Sequence, residues 1–125
     1  DVKFQEKKQI EELLDFFDLT DVKNQHLHTL PLGKQRLAML ARTIIKNPPL
    51  LVLDEPCQGL DNEQAKYFND VLDELAHYGK TLIYVGHYES QLPSCIQHRI
   101  VLEKREVKAI ENIKTTDKHL QSAIL

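Results

Sequence analysis

The sequence predicts an α/β fold: part of a parallel sheet with flanking helices and a small helical subdomain at the N-terminal end. Three observations lead there. Leu50-Leu51-Val52-Leu53 and residues 81–85 are short apolar runs of the kind found in strands buried on both faces. Between them Ala65, Phe68, Leu72 and Leu75 make the apolar stripe of a helix, and a helix of that length joining two such strands is a crossover that makes them parallel. Ahead of both, Leu37, Leu40, Ala41 and Ile44 repeat at i, i+3, i+4 and i+7, the period of an amphipathic helix.

The elements follow in order. Phe4, Ile10, Leu13, Leu14 and Phe17 have helical spacing within a charged stretch, so residues of about 5 to 18 read as a first amphipathic helix, and residues 18–24 as a polar loop. The helix carrying Leu37 ends at Asn47-Pro48-Pro49, since proline has no N–H to donate and pushes its predecessor out of the α region. After the first strand, Asp61 followed by Gln64 is a capping box that starts the crossover helix, and Gly79 stops it. Residues 100–102 and 107–110 alternate with charged residues around Lys104-Arg105, which predicts an exposed hairpin, although the turn lacks the usual Gly or Asn. The last dozen residues are expected to form a short helix. No internal repeat and no low-complexity segment interrupts the pattern.

Composition narrows the function classes. With 125 residues, 42% of them apolar and 28% charged, the chain is the size and polarity of one globular domain. A net charge of −3 provides no positive field for nucleic acid or anionic lipid, so no nucleic-acid partner is expected. Two cysteines, Cys57 and Cys95, are too few for a disulfide scaffold and fit a reducing compartment. No apolar run approaches the roughly 20 residues of a membrane-spanning helix, so a cytoplasmic location is expected, peripheral to a membrane at most. The sequence begins with Asp1 and its single methionine is Met39, which suggests a segment of a longer chain.

Chemistry concentrates at Asp54-Glu55-Pro56. Two carboxylates directly at the carboxyl end of a buried strand stand where open α/β sheets bind ligands. One could hold a hydrated Mg²⁺ and the other could orient or deprotonate an attacking water. Taken alone, the pair is equally compatible with an ordinary solvated loop start.

The surrounding motifs decide between these readings. Leu30-Pro31-Leu32-Gly33-Lys34-Gln35-Arg36 opens a helix; Ala41-Arg42 and Asn47-Pro48 follow, then the acidic strand, then Gly59-Leu60-Asp61, then His87 after a second strand. This succession resembles the nucleotide-binding domain of ABC (ATP-binding cassette) ATPases, with its signature, Walker B strand, D-loop and switch histidine in family order, and it covers roughly residues 4–110. Within the family it looks most like the duplicated cytosolic ATPases associated with molybdenum transport and photorepair. The resemblance implies a partial P-loop NTPase-type sheet, ATP and Mg²⁺ as ligands, and ATP hydrolysis coupled to transport by the complete chain. It also implies partners: a complementary phosphate-loop half or second ATPase domain in a homo- or pseudo-dimer, and membrane permease subunits.

Matched residue by residue, the resemblance makes Asp54 the Mg²⁺ carboxylate, Glu55 the general base and His87 the γ-phosphate contact that helps position water. Gly33, Lys34 and Gln35 become the nucleotide-facing part of the signature, and Asp61 a residue reporting across the dimer interface. Pro31 stands where the family has a phosphate-contacting Ser and Lys34 where it has Gln; the lysine charge could offset the lost hydroxyl. The resemblance divides the chain into a helical subdomain with the signature at 1–47, the Walker B, D-loop and switch-histidine region at 48–110, and a tail at 111–125.

A phosphate loop is absent from the sequence. Gly79-Lys80-Thr81 imitates the end of G-x-x-x-x-G-K-[ST], but position 74 is Glu74 and the triplet leaves a helix for a strand, the reverse of a phosphate loop. The isolated chain is therefore expected to be inactive. His26 and His28 form no ligand spacing with Cys57 or Cys95 that favours a metal site, and Arg99 reads as a structural partner. Two other functional classes remain: a non-hydrolysing interaction module that docks on a partner ATPase, and a non-transport ABC ATPase.

Overall fold

The computed structural model describes residues 2–113 and 122–124. It divides into two compact units, Asp1–Pro48 and Pro49–Leu125.

The first unit is helical. Helix α1, Val2–Phe16, begins earlier than its apolar spacing suggests and closes in a Schellman motif. Asp18 takes the left-handed conformation (φ 55°), its N–H donates to the Asp15 carbonyl at 3.1 Å, and the Leu19 N–H reaches back to the Leu14 carbonyl at 2.7 Å. Within the stretch expected to be a polar loop, Leu19 is thus buried, and a 3₁₀ turn follows at Thr20–Val22. A second 3₁₀ turn, Leu27–Thr29, leads into helix α2, Leu32–Ile44. Leu37 and Leu40 of its predicted stripe are buried, as are Phe17 and Leu30. Past the end of α2, Asn47 is left-handed (φ 50°) immediately before Pro48, which cannot continue a helix.

The second unit is built on a five-stranded sheet. Its elements are β1 (Leu50–Asp54), α3 (Asn62–His77), β2 (Thr81–Val85), β3 (His98–Glu103), β4 (Glu106–Asn112) and β5 (Ser122–Ile124). The strand order is β1-β2-β5-β3-β4, in which β1, β2, β5 and β3 run parallel and only β4 is antiparallel. The capping box forms: the Asp61 carboxylate accepts from the Gln64 N–H at 2.7 Å while Gln64 Oε1 accepts from the Asp61 N–H at 3.3 Å. Gly79 (φ 92°) ends α3 in a second Schellman motif, its N–H donating to Ala76 and that of Lys80 to Leu75. Phe68, Val71, Leu72, Leu75 and Ala76 of α3 are buried, together with Leu51, Leu82, Tyr84, Cys95 and Ile96.

Two expectations are corrected here. Strand β1 was expected to be buried on both faces, yet it alternates: Leu51 is 3% exposed, whereas Leu50 is 45% and Val52 64% exposed. The strand lies at the sheet edge with one apolar face uncovered among the described residues. The expected C-terminal helix is replaced at Ser122–Ile124 by β5, which slots between β2 and β3 through the register Ile83↔Ala123 and His98↔Ala123; the rest of that stretch, residues 114–121 and 125, lies outside the described residues. The β3–β4 hairpin forms as expected, and Lys104 and Arg105 both take positive φ (51° and 66°), the primed-turn geometry that Asn-Gly adopts more cheaply. A bulge opposite Val101 and Leu102 places Lys108 outside the pairing.

Candidate functional site

The site is set by the paired carboxyl ends of β1 and β2, where Asp54 stands opposite Val85. Asp54 ends the strand with its side chain exposed. Glu55 turns sharply, with φ 46°, while its N–H donates to the Val85 carbonyl at 2.9 Å, so the β1–β2 pairing continues one residue past the strand. A left-handed glutamate is costly, and such strain concentrates at functional sites. Beyond it, Gln58 N–H donates to the Glu55 carbonyl at 3.1 Å and Leu60 N–H to the Cys57 carbonyl at 3.1 Å, with Gly59 at φ 83° completing the turn before the Asp61 cap.

After β2, Gly86 lies tight against Tyr84: a Cβ there would meet the Tyr84 ring at 3.2 Å. The chain then presents His87, whose Nε2 contacts Glu55 Oε1. Glu55 is 29% and His87 76% exposed, so the carboxylate is half sheltered and the imidazole reaches it from the solvent side. An open cleft of about 340 Å³ lies here, lined by Glu55, Cys57, Gln58, Tyr84, His87 and Gln91 among others. The structure thus brings Glu55 and His87 together and leaves the Asp54 carboxylate beside them in sequence, at the end of the strand.

The remaining sequence-predicted residues are engaged differently. Asp61 uses its carboxylate to cap α3. Gly33, Lys34 and Gln35 lie in the first turn of α2, in the other unit. Gly33 is buried, and Pro31 at the N-cap has no side-chain cap bond. The Lys34 ammonium donates to the Asp18 carbonyl at 2.7 Å and pairs with Asp18 and Asp21 at 3.6 and 3.7 Å, so its charge is directed at the α1–α2 connection. Gln35 Nε2 donates to the Leu30 carbonyl at 2.8 Å, holding the chain that enters the helix. His26 and His28 stack on one another with centroids 5.6 Å apart. Among the described residues no group of three or more His, Cys, Asp or Glu side chains is placed to hold a metal ion, and no helix is long and apolar enough to cross a membrane.

Several partners around the cleft escaped the sequence reading. Tyr84 is buried on β2 with its hydroxyl hydrogen-bonded to Cys57; burial first, and then that bond, raise its pKa well above the ordinary tyrosine value. Above pH about 10 the unfolded chain releases this proton and the folded chain keeps it. The stability contributed by neutral Tyr84 is therefore complete below that pH and is lost as pH rises beyond it. Urea midpoints measured across this range should fall with pH, and Tyr84→Phe should flatten the fall; an equal slope in both proteins would contradict the assignment. The Asn69 amide of α3 donates to the Gln91 carbonyl at 2.8 Å, and its Oδ1 accepts from Cys57 Sγ at 3.5 Å. Arg99 pairs with Glu89 at 2.9 Å and with Glu111 through Nε at 3.0 Å, bracing the 3₁₀ turn Glu89–Gln91 against β4, which bears out its reading as a structural partner. A polar residue flanking an apolar helical stripe was the only signal available for Asn69.

Comparisons with known proteins bear on the family of the chain. The ABC transporter family profile matches residues 2–58. The chain is 36% identical over 90 residues to an uncharacterised ABC transporter ATP-binding protein of Schizosaccharomyces pombe, an alignment covering 72% of this chain and 18% of that protein. It is also 36% identical over 101 residues to the ABC transporter ATP-binding protein ModF of Escherichia coli, covering 79% of this chain and 21% of ModF. The chain therefore spans about a fifth of the length of each. A crystal structure of a nucleotide-free ATP-binding cassette from an ABC transporter superimposes with a TM-score of 0.81 at 21% identity, over 88% of this chain and 44% of that one. The chain belongs to the ABC transporter ATP-binding family and carries part of one of its ATP-binding cassettes.

Proposed function

We propose that this chain supplies the water-activating side of an ATP-hydrolysing site whose phosphate-binding loop comes from elsewhere in the complete ATPase. The observation that carries this reading is the contact between Glu55 and His87 across the ends of β1 and β2. Glu55 is the general base: as the oxygen of water bonds to the γ-phosphorus, its proton passes to the carboxylate and the bond to the bridging oxygen of ADP breaks. His87 orients that carboxylate and reaches the γ-phosphate. Asp54 is the residue that would hold a magnesium ion. Its carboxylate is exposed at the strand end, and a hard oxygen donor of that kind would fit a hydrated Mg²⁺. When bound, the ion neutralises charge developing on the transferred phosphoryl group.

The signature turn at Gly33 faces the nucleotide of a second ATPase domain, using the N–H groups of the α2 N-terminus, with Gln35 securing the turn. Asp61 holds the start of α3 and reports across an interface with a second ATPase domain. Membrane subunits receive the mechanical output, and transport is the coupled task. The test is His87→Ala in the complete ATPase. Turnover should fall by about 10²-fold, the scale of losing a positioned group, with little change in KM for ATP. Unaltered turnover would remove His87 from the site.

A further inference from the structure

We propose that Asn69 is a positioning residue that sets the spacing between the Glu55 turn and the His87 loop, an inference that rests on the reading of those two loops given above. Its carboxamide faces both. Oδ1 accepts from the thiol of Cys57, two residues past Glu55, and Nδ2 donates to the carbonyl of Gln91, four residues past His87. The Cys57 thiol is buried and is bonded in turn by the hydroxyl of Tyr84, three residues before His87. A polar chain thus runs from β2 through the Glu55 turn and α3 to the His87 loop, around one side of the cleft.

Each end has few backbone bonds of its own, and the Glu89–Gln91 turn is braced from the other side by the Arg99–Glu89 pair. The Glu55 turn closes on two backbone bonds, those of Gln58 and Leu60, and the Glu89–Gln91 turn on two more, Gln91 to Tyr88 at 3.1 Å and Leu92 to Glu89 at 3.3 Å. The regular α3 backbone is the stiffer body, and Asn69 hangs both turns from it. One helical turn further on, Asp73 accepts from Ser94 Oγ at 2.7 Å and from the Cys95 N–H at 2.9 Å, so the same helix also anchors the exit of the His87 loop. Asparagine is a poor residue for a helix interior, so helix propensity does not account for its presence. A carboxamide carries a donor and an acceptor on one planar group, which this double contact requires.

Substitutions separate the two ends. Asn69→Ala in the 125-residue chain should speed amide exchange about tenfold at Gln58 and Leu60 and at Gln91 and Leu92, the loss of a net hydrogen bond at each turn, with β1 and β2 amides unchanged. Asn69→Asp preserves size and the acceptor for Cys57 but removes the donor, and should loosen Gln91 and Leu92 alone. Cys57→Ala should loosen Gln58 and Leu60 alone. Unchanged exchange at both turns in Asn69→Ala overturns the proposal. So does faster exchange spread equally over β1 and β2, which would make Asn69 a support of the whole unit. If Asn69→Ala does not fold, the Asp and Cys57 variants decide alone, and equal behaviour of the two turns in both counts against the link. Exchange reads the link whatever the loops do chemically, whereas turnover of the complete ATPase carrying Glu55→Gln tests the catalytic reading beneath it.

Discussion

Glu55→Gln in the complete ATPase is expected to lower turnover by about 10²–10⁴-fold, the range supplied by a positioned general base, while ATP binding is retained. The substitution is nearly isosteric. Its amide oxygen can still accept from the His87 ring, and the backbone bond from residue 55 to the Val85 carbonyl does not involve the side chain. The turn should therefore keep its geometry, and only the capacity to take a proton disappears. Equilibrium binding of ATP and single-turnover hydrolysis, measured on the same preparation, separate the two effects. Undiminished hydrolysis would assign the base to another group, and a parallel loss of binding would mean that Glu55 shapes the site rather than acting in it.

The second large effect is on stability. Leu72 is completely buried on α3, and Leu72→Ala removes apolar contacts where no solvent can replace them. Core truncations of this kind cost about 2–5 kcal/mol, against the roughly 5–15 kcal/mol by which whole domains are stable. The urea midpoint should fall by about 1 M or more at the m-values usual for small domains. Because α3 also carries Asn69 and Asp73, the β2–β3 connection should lose order along with the helix. A midpoint unchanged within error would mean that the helix packs less tightly than its burial indicates.

Much of the fold was legible because its signals are local. Asp61 with Gln64, and Gly79 after an apolar stripe, specify where α3 starts and stops through hydrogen bonds only a few residues long. The acidic strand end and His87 were readable as motifs, and the parallel register of β1 with β2 follows from the crossover between them. What remained hidden is non-local. A continuous apolar run cannot tell a strand covered on both faces from one covered on a single face, and among the described residues β1 is the latter. Nothing in Ser122–Ile124 specifies insertion between β2 and β3, because parallel pairing is dictated by partners distant in sequence. Lys104-Arg105 lacks the residues that announce a primed turn, and the flanking strands impose it. The Lys34 contacts depend on a left-handed Asp18 that periodicity does not encode. Asn69 was unreadable for the same reason: both of its partners lie on other loops.

The uncovered face of β1 bears on how the chain behaves in solution. Leu50 and Val52 project from a strand whose outer N–H and C=O groups meet no neighbouring strand among the described residues. An apolar edge of that kind is a template for strand addition by other copies, and a net charge of −3 spread over 125 residues offers little repulsion against it. Strand β4, with Val107 and Ile110 exposed, forms the opposite edge of the same sheet, so Val52→Lys should lower self-association at high concentration by blunting one of the two apolar edges.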